Sequence, residues 1–193
     1  KIDPVVPRPS EIVREIIHMH RIYNNLWNKL YVRELFADGL KLDENVRIGE
    51  DALLNLQLYL HAKSVAHIPD HTYVYRVHDR SAMANMGIYS QAHQPMLHGM
   101  STILTREGVK EIYFRDFLQS CVWVDEKEAG IMACMRRFNA EIRPLVLENI
   151  DPEKISEPDK RVYKAVAGGY FPQAYILLRV REKLTRKKWG IRR

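Results

Sequence analysis

The stretch from Gly49 to Ala62 constrains this chain more than any other. It sets two adjacent carboxylates, Glu50 and Asp51, ahead of a segment in which Leu53, Leu54, Leu56, Leu58, Tyr59 and Leu60 leave little polar face. A helix that is apolar nearly all round has to be covered by other elements. Residues 50–62 therefore predict a buried helix with both carboxylates at its open end. Gly49, just ahead, permits a close backbone approach.

On either side the pattern is less regular. Ser10 is a plausible N-cap, and Ile12, Ile16, Ile17 and Met19 give a helical stripe up to about His20. Asn24 and Asn25 break it. Trp27, Leu30, Tyr31, Leu35 and Phe36 then mark a second short helix, closed by the turn Asp38-Gly39. Beyond the central helix, 65–68 and 72–77 are rich in β-formers and read as short strands around Pro69-Asp70. They can pair as a hairpin or with strands outside this sequence. From 89 onward the chain reads as helices at 91–104, 109–124, 127–139, 141–148, 161–167 and 173–189. Gly108, Asp125-Glu126, Pro144, a polar linker at 151–159 and Gly168-Gly169 punctuate them. The expected fold class is mainly α with a few short strands. Two regions are expected, 1–88 and 89–193.

Charge and cysteine content narrow the class. The net charge is +6, but residues 179–193 hold eight Lys or Arg against Glu182 alone, a net of +7. The other 178 residues are therefore close to −1, and the high pI belongs to a tail. No apolar run approaches the length of a membrane span. Two cysteines thirteen apart, Cys121 and Cys134, fit a reduced, cytoplasmic protein. Cys121 reads as a core residue rather than a nucleophile. The opening segment, with Lys1 first and prolines at 4, 7 and 9, reads like the middle of a longer protein. The histidines give no metal spacing: His18 and His20 diverge on a helix, and His67 and His71 straddle Pro69.

Three blocks carry chemistry. Glu50 and Asp51 either complement the positive end of the helix dipole or supply a general base held by a rigid element. Trp27 and Tyr31, four apart, would share a helix face and form an aromatic platform for a sugar ring, or else core; Lys29 between them reads as a solvated charge more than as a ligand. Arg76 and His78 alternate with Tyr75 and Val77 and would point to one face, where a guanidinium and an imidazole suit a phosphate or else simply form an exposed strand face.

The order Leu26-Trp27-Asn28-Lys29-Leu30-Tyr31, then Gly49-Glu50-Asp51 with its apolar helix, then Tyr73-Val74-Tyr75-Arg76-Val77-His78 and Ser81, resembles the second half of family-2 glycosyltransferases of GT-A type. These inverting bacterial enzymes build capsule and other cell-surface polysaccharides. The resemblance covers about 12–81. It implies that Asp51 is the catalytic base and that Glu50 shapes the acceptor site. It places Arg76, His78 and Ser81 near the donor diphosphate and metal, with His78 the candidate metal ligand; Trp27, Lys29 and Tyr31 are the expected substrate-binding residues of the first block. The intact enzyme would be a doubly wound α/β protein using a nucleotide-sugar donor, a glycan or lipid-linked acceptor, and Mn or Mg. This chain lacks the family's Asp-x-Asp motif and a glycine-rich phosphate loop. It is therefore expected to be inactive alone and to hold no metal by itself. The rival expectation is a non-catalytic helical module that scaffolds a polysaccharide assembly complex through 90–193.

The basic tail has three readings: a solvated helix end, a surface helix on anionic lipid at the inner face of the cell membrane, or a nucleic-acid contact. No aromatic stacking platform or recognised fold supports the last, and no nucleic-acid partner is expected.

Overall fold

The computed structural model describes residues 8–18, 24–36, 40, 46, 49–68, 70, 72–74, 76 and 86–189, with the side chains of 86–94, 122–129 and 181–189 left aside. The architecture is mainly helical, as the hydrophobic periodicities predict. The chain divides into two compact units, Lys1–Ile103 and Leu104–Arg193.

Unit 1 is built around the helix at the centre of the sequence. Helix α1 (Pro9–Ile17) starts one residue before the expected cap. Arg8 is the N-cap, and its backbone N–H donates to Glu11 Oε2 at 2.9 Å. Pro9 fits the first turn, where a missing N–H costs nothing. Ile12, Val13, Ile16 and Ile17 are buried and form the face that packs on α2 (Glu50–His61). In α2 every residue from Ala52 to Leu58 is buried, so it is the covered helix that its composition requires. Helix α3 (Met86–Arg106) brings Met96, Leu97, Met100 and Ile103 into the same core. It approaches α2 closely at Gly99, where an added Cβ would lie 2.6 Å from Leu53 Cδ1.

Two expectations fail in the segments that flank α2. Residues 26–36 do not form a helix: a turn at 26–28 is followed by irregular chain and a single 3₁₀ turn, Arg33–Phe36. The cause is tertiary. The carbonyls of Asn24 and Asn25 accept hydrogen bonds from the Asn55 side chain on α2 rather than from a following helical turn. Residues 64–68, 72–74 and 76 form no strand, and there is no strand anywhere among the described residues. β-Formers make a strand only where a neighbour completes the ladder.

Unit 2 is a bundle of short helices. Helix α4 (Phe114–Ala129) runs straight through Asp125 and Glu126, where a break was expected. Charged residues are compatible with a helix interior. The break falls instead at Gly130, whose φ of +78° a residue with a Cβ seldom adopts. After it come α5 (Ile131–Arg137), a π-helical turn (Phe138–Ile142) and α6 (Arg143–Asn149), which continue one another with Pro144 in the first turn of α6. Helix α7 (Glu157–Ala167) and helix α8 (Phe171–Trp189) close the unit. Phe138 and Phe171 meet edge to face at 5.1 Å, beside the buried Phe114, Leu118, Val162, Val166 and Leu178. Cys121 and Cys134 are buried, unbridged core residues. Arg115 pairs with Asp159, and Arg143 donates from Nε and Nη2 to the Ala167 carbonyl at 3.0 and 2.8 Å, capping the end of α7. No helix among the described residues is long and apolar enough to cross a membrane.

Candidate functional site

The head of α2 is set by Gly49. It is the N-cap at φ +92°, and its carbonyl accepts the first helical hydrogen bond, from Leu53 N–H at 3.1 Å. A Cβ there would lie 2.5 Å from Met96 Sδ. Glycine is thus required twice, for backbone angle and for space. Glu50 and Asp51 follow as the first two helical residues, both partly exposed. Their position complements the positive end of the helix dipole and leaves both carboxylates accessible from outside.

Asn55 lies one turn below Asp51 on α2. It is fully buried. Its Oδ1 accepts from the Tyr31 hydroxyl, and its Nδ2 donates to the carbonyls of Asn24 at 2.9 Å and Asn25 at 3.3 Å. One amide therefore ties the segment 24–31 to α2 and spends its polar atoms doing so, as a buried amide must. Lys29 Nζ donates to the Asn25 carbonyl and to Asn28 Oδ1, the latter at 2.6 Å. The ammonium is held against the same turn.

This fold brings Asp51, Lys29 and Tyr31 into one electrostatic cluster. Burial pushes the Lys29 ammonium down to about 8, and the Asp51 carboxylate partly offsets that fall. Burial also raises the Tyr31 hydroxyl well above its ordinary value. Tyr59 and Asp51 push it further in the same direction, and the hydrogen bond to Asn55 pulls it back. The arrangement sets an anionic oxygen acceptor, an ammonium that changes charge in a mildly alkaline range, and an aromatic hydroxyl around one helix end. Such a set can accept a proton from a hydroxyl and hold a second oxygen nearby.

The aromatic platform differs from the expected one. With no helix across 26–36, Trp27 and Tyr31 do not share a helix face. Tyr31 turns to Asn55 and meets Phe36 edge-on at 6.0 Å. Trp27 instead stacks on Tyr73, with ring centroids 4.4 Å apart and planes at 25°. Trp27 is 40% exposed and Tyr73 48%, so the pair offers ring surface to solvent and links the first block to the third. Arg76 is exposed. His78 and Ser81 lie outside the described residues, and so does any metal role for His78. Among the described residues, no group of three or more His, Cys, Asp or Glu is placed to hold a metal ion.

Asn55 and Tyr59 were not singled out in the sequence. Asn55 had a signal there: it is a polar residue inside a leucine run, and a buried amide in such a run must be answered by partners from elsewhere. Its partners lie 24 to 31 residues away, and no local pattern gives them. Compared with protein-family models, curated proteins and solved structures, the chain matches none.

Proposed function

We propose that this chain is the acceptor-side half of an inverting glycosyltransferase of cell-surface polysaccharide synthesis. The observation that carries the reading is the cluster at the head of α2, where Asp51 lies within electrostatic reach of Lys29 and Tyr31. In the reaction, the Asp51 carboxylate takes the proton of an acceptor hydroxyl. That oxygen attacks the anomeric carbon of a nucleotide sugar, the nucleoside diphosphate leaves, and the configuration inverts. Glu50 shapes the acceptor side. Lys29 donates to an oxygen of the acceptor or of the departing diphosphate. The Trp27–Tyr73 stack presents ring faces that suit the C–H face of a sugar. Arg76, with His78 and Ser81, serves the diphosphate.

A divalent metal, Mn or Mg, would stabilise the leaving group when bound. In this reading its ligands belong to the nucleotide-binding half of the intact enzyme. In this reading the protein works in the cytoplasm, at the inner face of the membrane, where lipid-linked acceptors are extended.

The test is Asp51→Asn in a polypeptide that also carries the nucleotide-binding half. Shape is kept and the base removed, so turnover should fall by roughly 10²–10⁴-fold with donor binding retained. Turnover close to that of the parent would overturn the assignment and favour a non-catalytic helical module.

A further inference from the structure

Helix α8 has two apolar faces, and only one of them is used. Phe171, Ala174 and Leu178, at helical spacing, are buried in the core of unit 2. Ile176 and Val180, one turn apart, are 59% and 53% exposed, and Tyr170 just ahead of the helix is 64% exposed. Ile176 and Val180 therefore lie off the face that packs in the core. Leu177 is partly buried at its margin, and Leu184 holds the next position in register after Val180.

The inner seam also stops. Positions three, four and seven after Leu178 are Arg181, Glu182 and Thr185, so beyond Leu178 the register that faced the core turns polar before Trp189. The outer register keeps its apolar residues one turn longer and acquires charge at its edge, where Lys183 and Lys187 fall beside Val180 and Leu184. Arg179 sits on the flank, its guanidinium 5.4 Å from the centre of the Tyr175 ring, which in turn meets the buried Phe171.

From this we infer that the outward face of α8 docks on an anionic lipid surface. Charge complementarity selects that occupant. Residues 179–193 carry a net +7 on a body near −1, so a second copy would bring like charge against like charge. A nucleic-acid backbone would answer the cations and leave Ile176 and Val180 in water. A bilayer answers both, headgroup phosphates meeting the cations and the acyl boundary receiving the apolar stripe. The inference does not rest on the transferase reading and holds equally for a non-catalytic protein.

The experiment is flotation of the full chain with vesicles of phosphatidylglycerol and phosphatidylcholine in equal parts, against vesicles of phosphatidylcholine alone. The chain should float with the anionic vesicles at low salt, bind the neutral ones poorly, and lose binding as salt screens the attraction. Each basic residue at the surface contributes about fivefold. Lys183→Gln with Lys187→Gln should therefore weaken binding about twenty-five-fold. Ile176→Asp with Val180→Asp should weaken it at least as much without lowering the melting temperature, because both positions are exposed. A chain ending at Val180 keeps Phe171, Ala174 and Leu178 and should not float. Equal flotation of the aspartate pair and the parent, equal binding to neutral vesicles, or no flotation of the parent would each overturn the inference. So would tight binding to duplex DNA that the aspartate pair leaves unchanged, or a dimer in solution that the pair dissolves.

Discussion

Gly49→Ala gives the sharpest test of how the head of α2 is built. The substitution puts a Cβ on a residue at φ +92°, 2.5 Å from Met96 Sδ and 2.9 Å from its Cγ. Two costs follow. An L-residue held in the left-handed region loses about 1–2 kcal/mol. Overpacking a core costs about 1–3 kcal/mol more, at the low end here because methionine is flexible. The sum is about 2–4 kcal/mol, a large share of the ~5–15 kcal/mol that holds a domain folded. Gly108→Ala isolates the first cost, since that residue has φ +67° and a Cβ there meets nothing within 4 Å. It should lose only about 1–2 kcal/mol. The assay is urea unfolding, with hydrogen-exchange protection of the α2 amides reading unit 1 by itself. A cycle with Met96→Ala completes the test: once the sulfur is gone, Gly49→Ala should retain only its backbone strain. If Gly49→Ala costs no more than Gly108→Ala, or costs the same with and without Met96, the close approach of α3 to the helix head is wrong.

The remaining predictions concern the cluster. With Lys29 near 8, about half of it is neutral at pH 8, against about one in three hundred for an ordinary lysine; amine acylation followed by peptide mapping should find Lys29 modified first. Asp51→Asn removes the charge that supports the ammonium, so the Lys29 pKa should fall further, and an unmoved value would separate the two residues. The sign for stability follows from the lowered pKa: the buried charge opposes folding below about 8, and that penalty is relieved as pH rises toward the unfolded value of 10.5. Asn55→Leu leaves the Tyr31 hydroxyl and two carbonyls without their amide partner, at a cost of about 2–4 kcal/mol. Hydrogen exchange in 24–31 should speed up with it, and unchanged protection there would mean that Asn55 does not hold the segment.

The sequence by itself determined that the chain is mainly helical, and it determined the core face of α1. Ile12, Ile16 and Ile17 lie at helical spacing, and a run as apolar as Ala52 to Leu58 has no stable position except inside. It also determined where the carboxylates stand, since Glu50 and Asp51 precede that run and the glycine ahead of them permits the helix to start there. Only the tertiary structure decided what surrounds them. The segment 26–36 has helical spacing, yet a buried asparagine on another element claims its preceding carbonyls, and a long-range hydrogen bond defeats a local preference worth a few tenths of a kcal/mol per residue, roughly. The partner of Trp27 is Tyr73 rather than Tyr31 for the same reason. In α8 the sequence offers two apolar registers, Phe171–Ala174–Leu178 and Ile176–Val180–Leu184, and periodicity ranks neither above the other. Packing within unit 2 selects the first, since Phe171, Ala174 and Leu178 are buried there while Ile176 and Val180 are exposed.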